Sequence, residues 1–340
     1  MAQQANVSIG TVDRVIHNRG EVAKATRAKI LKIIEEMGYQ PNLLASTLAS
    51  KKTFTFALLV PEPVSAESYW SKPITGVKKA FDEIHQYGVQ IAIYQFKQND
   101  PAMFKNEAEL IIESKPDGVV LAPFFSRESK EFIEKLKERS IPYVFIDSNI
   151  KECEQLSYIG QNSFQSGTLA AKLLDYSTPK DSTILILHFA KQLDNMNHLV
   201  QREKGFYEYF NRNEVHRTLI TKEIADPTEE GAEKVLTDLL QTTPDIKGIF
   251  VTNSQVYYLA RILEKLGMTG IKVIGHDLIK ENIGFLNKST IDFLICQRPE
   301  EQGYNAIIAL FDHLVLKKEV KAENYTSIDI ITKENLDYYR

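Results

Sequence analysis

Cysteine and tryptophan are scarce in this 340-residue chain: there are two cysteines, Cys153 and Cys296, and one tryptophan, Trp70. The cysteines form neither a C-x-x-C pair nor a zinc-ligand spacing, so two reduced, buried thiols are expected rather than a disulfide framework or a metal site. No apolar run is long enough to span a bilayer. The opening MAQQANVSIG has no basic start and no apolar stretch behind it, so no secretory signal is read and a cytoplasmic location is expected. Catalytic signatures are missing as well. The histidines (His17, His85, His188, His198, His216, His276 and His313) include no H-E-x-x-H pair, and there is no P-loop and no G-x-S-x-G. His276 beside Asp277 is the one suggestive pair, yet neighbours on a strand point to opposite faces. The expectation is a protein that is not an enzyme, with no cofactor, no metal and no membrane partner.

What is present comes in two textures. The length exceeds one ordinary core and fits two or three units. Hydrophobic content of 43% and charged content of 25% describe a soluble globular chain. The net charge of −4 is unevenly spread. Residues 1–52 hold eight Lys/Arg against four Asp/Glu, a net of +4 that leaves −8 for the rest. A basic head on an acidic body is suited to a polyanionic partner. Within the head, Val12, Val15 and Ile16 give a short amphipathic helix, with Ser8 as its N-cap. Ile9, Gly10, Asp13 and Arg14 are left on the outer face. Ile30, Leu31, Ile33, Ile34 and Met37 give a longer helix that stops at Gly38. This is the texture of a helix-turn-helix, although a small helical cap on an enzyme would read the same way. In a helix-turn-helix, the outer face would meet base edges, Arg14 would pair with a guanine edge or hold a phosphate, and Ser8 and Thr11 would donate to phosphates.

From Thr53 short apolar runs (54–60, 89–96, 118–122, 143–146, 183–187, 248–251, 273–275 and 293–296) alternate with helical patterns (74–86, 103–114, 129–140, 166–176, 202–211, 228–241 and 256–266). That alternation predicts parallel sheets covered on both faces. The runs are too many for one small sheet, and TILILHFA near 183 echoes TFALLVPEP near 54. Two doubly wound lobes are expected, with a ligand cleft at the carboxyl ends of their strands.

The head and the segment after it resemble the lactose-repressor (LacI) family. The resemblance rests on Val7-Ser8, Thr11-Val12, Arg14-Val15-Ile16, Thr26-Arg27, Lys29-Ile30, Gly38-Tyr39, Pro41-Asn42, Ala45 and Leu48. It implies a small all-α helix-turn-helix head at 1–40 and a hinge helix with linker at 41–52. Ile9 and Gly10 would select bases, with Arg14 as a base contact. His17 stands where the family has Asn and would take over its phosphate contact. Asn42 and Ala45 belong to the hinge helix, and Leu48 would be the wedge entering a minor-groove step. The family's first helix begins before the point matching Met1, so a truncated first helix is expected.

Residues 53–340 resemble periplasmic sugar-binding proteins of the ribose-binding type. The implied architecture is a type I α/β domain, with one lobe at about 53–160 and 298–322 and the other at about 161–297 and 323–340. Tyr69 and Trp70 fall where such proteins place aromatics. Asp147 follows an apolar run; Arg202 lies in R-x-x-G-F, Asn253 follows another run, Asp277 lies in Gly275-His276-Asp277, and Gln297 in Gln297-Arg298-Pro299. Taken alone, each of these reads equally well as a structural hydrogen bond at a strand end. As an ordered set they imply an effector site, since sugar hydroxyls are satisfied by carboxylates, amides and an Arg in a dry cleft. Ala122, Phe124 and Phe125 depart from ribose binders, so another sugar or a related metabolite is expected. The partners implied are operator DNA, a sugar-like effector and a second subunit, because half-sites come in pairs. The 332–340 segment has no leucine heptads for a tetramer tail. The alternatives are a solute-binding protein with no DNA role and a regulator responding to a non-sugar metabolite.

Overall fold

A computed structural model describes residues 1–16, 19–37, 52–226, 229–243 and 245–339. The chain divides into two compact units, Met1–Lys52 and Thr53–Arg340.

The first unit contains α1 (Ala2–Ala5), α2 (Ile9–Ile16) and α3 (Lys24–Glu36). α1 ends at Asn6, whose left-handed backbone (φ 55) suits Asn. Ser8 then opens α2. The Thr11 N–H donates to Ser8 Oγ at 3.2 Å, which satisfies one of the donors that a helix start leaves free. Val12 and Val15, three residues apart, turn onto one face and pack with Ala5 and Ile30. Lys29 Nζ donates to the Ala5 carbonyl at 3.0 Å and ties α3 to the end of α1. His17, Asn42, Ala45 and Leu48 lie outside the described residues.

The second unit holds two six-stranded sheets. In chain order the strands are β1 (Phe54–Pro61), β2 (Val89–Phe96), β3 (Gly118–Leu121), β4 (Tyr143–Ile146), β5 (Ser157–Gly160), β6 (Thr183–Phe189), β7 (Thr218–Ile224), β8 (Ile246–Val251), β9 (Lys272–His276), β10 (Phe293–Cys296), β11 (Glu323–Tyr325) and β12 (Asp329–Ile331). The first sheet runs β11-β5-β4-β3-β1-β2 and the second β12-β10-β9-β8-β6-β7, the same plan twice. Pairing is parallel except for β12, which runs antiparallel to β10. The central strands are mostly apolar because helices cover both faces; every residue of β3, β4 and β6 is buried.

The covering helices are α4 (Ser71–Ile84), α5 (Pro101–Ser114), α6 (Ser126–Glu138), α7 (Ser163–Ser177), α8 (Asn197–Arg212), α9 (Glu229–Thr242), α10 (Val256–Lys265), α11 (Lys280–Asn287) and α12 (Pro299–Leu314). Two pairs pack backbone to backbone. α4 meets α12 at Gly76 and Gly303, where an added Cβ would lie 1.9 Å from the Glu300 carbonyl oxygen and 2.1 Å from that of Pro73. α7 meets α8 at Gly167 and Gly205, with corresponding distances of 1.8 Å to the Arg202 oxygen and 1.9 Å to the Phe164 oxygen.

The chain passes between the lobes three times: after β5, after β10 and after β11. The last passage corrects the boundary expected at 322. Residues 323–325 belong to the first sheet, because β5 leaves an edge open and Glu323, Asn324 and Tyr325 pair along it. The second sheet is rejoined only at β12. Side chains stitch the passages together: Gln161 Nε2 donates to the Cys296 carbonyl at 3.0 Å, and Gln302 Nε2 to the Gln297 carbonyl at 2.8 Å. No helix among the described residues is long and apolar enough to cross a membrane.

Candidate functional site

The carboxyl ends of both sheets face one cleft, and the cavity there has a volume of about 570 Å³. All seven effector residues expected from sequence line it: Tyr69, Trp70, Asp147, Arg202, Asn253, Asp277 and Gln297. Their positions follow from the topology. Tyr69 and Trp70 lead into α4, Asp147 follows β4, Asn253 follows β8, Asp277 follows β9, and Gln297 follows β10 at a lobe crossing. Arg202 comes from α8, at the level where Gly167 lets the two helices touch.

Asp147 and Asp277 are equivalent positions of the two lobes. Each follows the fourth strand of its sheet, and each has left-handed backbone, with φ 65 and φ 70. Asp tolerates that conformation better than most residues. The turn directs each carboxylate back over the strand end. Tyr69 Oη donates to Asp147 Oδ1 at 2.5 Å, while the Asp147 N–H donates to Gln302 Oε1 at 2.8 Å. Gln297 Nε2 donates to Asp277 Oδ1 at 2.9 Å and its Oε1 accepts from Arg202 Nη2 at 2.7 Å. Arg202 Nη1 donates to the Thr252 carbonyl at 2.6 Å. The guanidinium is thus held by a carbonyl and an amide, and Gln297 relays it to Asp277. Asn253 Nδ2 donates to the Phe189 carbonyl at 3.0 Å.

Burial dominates the electrostatics. It raises the Asp277 carboxyl to about 7, against the opposing pull of Arg202 and the Gln297 hydrogen bond. It also raises Asp147, opposed by the Tyr69 hydrogen bond and Arg202. Burial, helped by the Arg202 charge, holds His198 down at about 3, so this ring is neutral. The deep end of the cleft therefore offers acceptors of weakened charge, a neutral imidazole and one guanidinium.

The first lobe supplies a cluster of packed aromatics. Trp70 stands edge-on to Tyr69 (centroids 5.0 Å apart, 88°) and to Phe124 (6.2 Å, 74°), and Phe124 lies 5.8 Å from His198. Phe124 lines the cavity, whereas Phe125 joins Phe96 and Phe104 in the core. Sequence reasoning missed His198 and Gln302 as site residues. His198 precedes Arg202 by one helical turn, and that i, i+4 spacing was an available signal. Gln302 touches the site only through the backbone of 147 and 297, which no local pattern reveals.

In the head, Ile9 is 80% exposed and Gly10, Asp13 and Arg14 are exposed beside it, while Val12 and Val15 are buried. An outward face is thereby formed from the residues expected to meet bases. Thr11 is partly buried against Ser8, their hydroxyls 2.9 Å apart.

Comparison with known proteins matches both units. Residues 56–319 fit the model of a periplasmic binding protein domain, and residues 1–42 that of bacterial regulatory proteins of the lacI family. The chain is similar to the HTH-type transcriptional regulator DegA of Bacillus subtilis, with 29% identity over 51% of the chain and 50% of DegA. It is similar to the HTH-type transcriptional regulator CelR of Thermobifida fusca, with 27% identity over 82% of the chain and 80% of CelR. Several curated relatives are matched over only about half their length. Among solved structures, a putative LacI transcriptional regulator from Bacteroides fragilis superposes with a TM-score of 0.80 at 34% identity, covering 85% of this chain and all of that one.

Proposed function

Because the chain belongs to the lacI family of bacterial regulatory proteins and carries a periplasmic binding protein domain as its body, we propose that it is a transcription regulator of carbohydrate-metabolism genes, controlled by a sugar or sugar-like effector in the inter-lobe cleft. The observation that carries this reading is the convergence of Tyr69, Trp70, Asp147, Arg202, Asn253, Asp277 and Gln297 on one cavity. An aromatic wall faces the apolar side of a sugar ring, and carboxylates, amides and a guanidinium meet its hydroxyls. The head would bind a pseudo-palindromic operator as one half of a homodimer in the cytoplasm, where its DNA is. Ser8, Ile9, Gly10, Thr11, Arg14 and His17 would lie against the major groove and its phosphates, and Asn42, Ala45 and Leu48 would enter the minor groove. The effector would act by changing lobe closure, and the coupling between effector and operator would be reciprocal.

The test is a sugar panel read by thermal shift on the full chain, followed by selection of an operator from random duplex DNA with and without the stabilising sugar. The expected result is a concentration-dependent rise in melting temperature, abolished in Arg202→Ala, and an operator affinity that changes with the same sugar. A panel with no stabilising member, or a stabilising sugar that leaves operator affinity unchanged, would overturn the reading.

A further inference from the structure

The cleft is electrically polarised along its depth. Its deep end holds Asp147 and Asp277, both nine-tenths buried or more, around the buried Arg202, whose Nη1 and Nη2 the Thr252 carbonyl and Gln297 already take up. Its mouth is different. Lys97 follows β2 in the first lobe and Lys191 follows β6 in the second; both line the same cavity, and both are exposed. Among the described residues neither ammonium stands in an ion pair. Gln98 and Asn99 line the cavity directly after Lys97 and extend the donor-rich rim, while Glu62 is the acidic group at the mouth. The volume, about 570 Å³, falls within the roughly 300–1,000 Å³ of pockets for drug-sized ligands. Space remains beyond a single sugar ring held at the deep end.

We infer that the effector is an acidic saccharide, with its ring between Trp70 and the deep carboxylates and its anionic group at the mouth between Lys97 and Lys191. The inference rests on the sugar reading above and specifies its ligand class. Orientation follows from which cations are free: Arg202 at the deep end is already engaged by the Thr252 carbonyl and Gln297 beside two buried carboxyls, whereas the two rim ammoniums stand outside any ion pair among the described residues and attract a carboxylate or phosphate. One lysine comes from each lobe, so an anion held by both makes more charge-assisted hydrogen bonds in the closed arrangement than in an opened one. That difference is what a ligand needs in order to shift a two-state equilibrium. The lysines would therefore report the acid group and draw the lobes together.

The experiment compares dissociation constants on the full chain by calorimetry. The probes are glucose and galactose, glucuronate and galacturonate, glucose 6-phosphate and galactose 6-phosphate, and inorganic phosphate alone. At least one acidic sugar should bind about tenfold tighter or more than its neutral parent, and the margin should shrink as salt is raised. Uronates and phosphates in separate arms identify which anion fits, and inorganic phosphate alone should bind far more weakly than the preferred acid. In K97Q/K191Q the acid-to-neutral ratio should fall toward one; both side chains are exposed, and the wild-type comparison stands without the variant. Neutral sugars binding as tightly as their acids, or a ratio unmoved in K97Q/K191Q, overturns the acidic-effector inference and leaves the sugar reading intact. Binding by no member overturns both.

Discussion

In the first lobe α4 and α12 touch through Gly76 and Gly303; in the second α7 and α8 touch through Gly167 and Gly205. The device is the same, but its cargo differs. Gly303 stands beside Gln302, a neutral amide that reaches the Asp147 N–H and the Gln297 carbonyl. Gly167 lies directly against the carbonyl of Arg202, so the second helix pair positions the cleft's guanidinium. The first lobe contributes the aromatic wall of Tyr69, Trp70 and Phe124. The second contributes the Arg202 guanidinium and the Asn253 and Gln297 amides, while Asp147 and the rim lysine Lys97 come from the first. A repeated scaffold has thus placed the packed aromatics on one side of the ligand and the guanidinium network on the other.

The largest break in this comparison comes from the glycines. Gly167→Ala places a methyl group on the Arg202 carbonyl and should cost about 1–3 kcal/mol or more, lowering the melting temperature and displacing Arg202. Gly76→Ala should cost a similar amount, yet keep the ligand-induced thermal shift at temperatures where it stays folded. Loss of that shift in both variants would mean that the lobes are not divided in this way. Next is Arg202→Ala, which leaves Gln297 Oε1 and the Thr252 carbonyl without their donor. A loss on the order of 3 kcal/mol is expected in denaturant melts, together with the ligand response.

The acid pair gives an effect that depends on pH. The Asp277 carboxyl is raised from 3.8 to about 7 on folding, so the native state holds this proton more tightly than the unfolded chain does. Its contribution to stability is full below about pH 4 and is lost as pH rises toward 7. Asp277→Asn should therefore flatten the decline in melting temperature across that window, and a slope equal to wild type would contradict the assignment. The smallest expected effect is Trp70→Phe, roughly 1 kcal/mol by thermal melt. It should weaken sugar affinity while leaving the pH slope in place.

Much of this arrangement was legible in the chain. Fully buried strands such as β3, β4 and β6 stood out as apolar runs, and strand ends marked the cleft residues because topology brings them together. β7 was not read: it is an edge strand, and TLITKEI mixes polar and charged residues with a single fully buried one. β5, β11 and β12 are three or four residues long and, unlike the equally short β3, β4 and β10, include polar residues in that length, so no apolar run shows. Their absence from the reading is also why the final lobe crossing was set three residues early. Gln302 was hidden because its role depends on backbone groups more than 150 positions away in one case and five in the other.

The left-handed backbone at Asp147 and Asp277 has a consequence for how such a cleft can diversify. At those two turns Asp, Asn and Gly fit with little strain, and a side chain branched at Cβ does not. Drift there is confined to a few residue types, whatever ligand is present. His198 sits on an ordinary helix, and neither Phe124 nor Lys97 nor Lys191 has a positive φ, so each can be exchanged without disturbing the chain path. New ligand preferences are most accessible through these surrounding positions, while the two turns hold the choice of residue narrow.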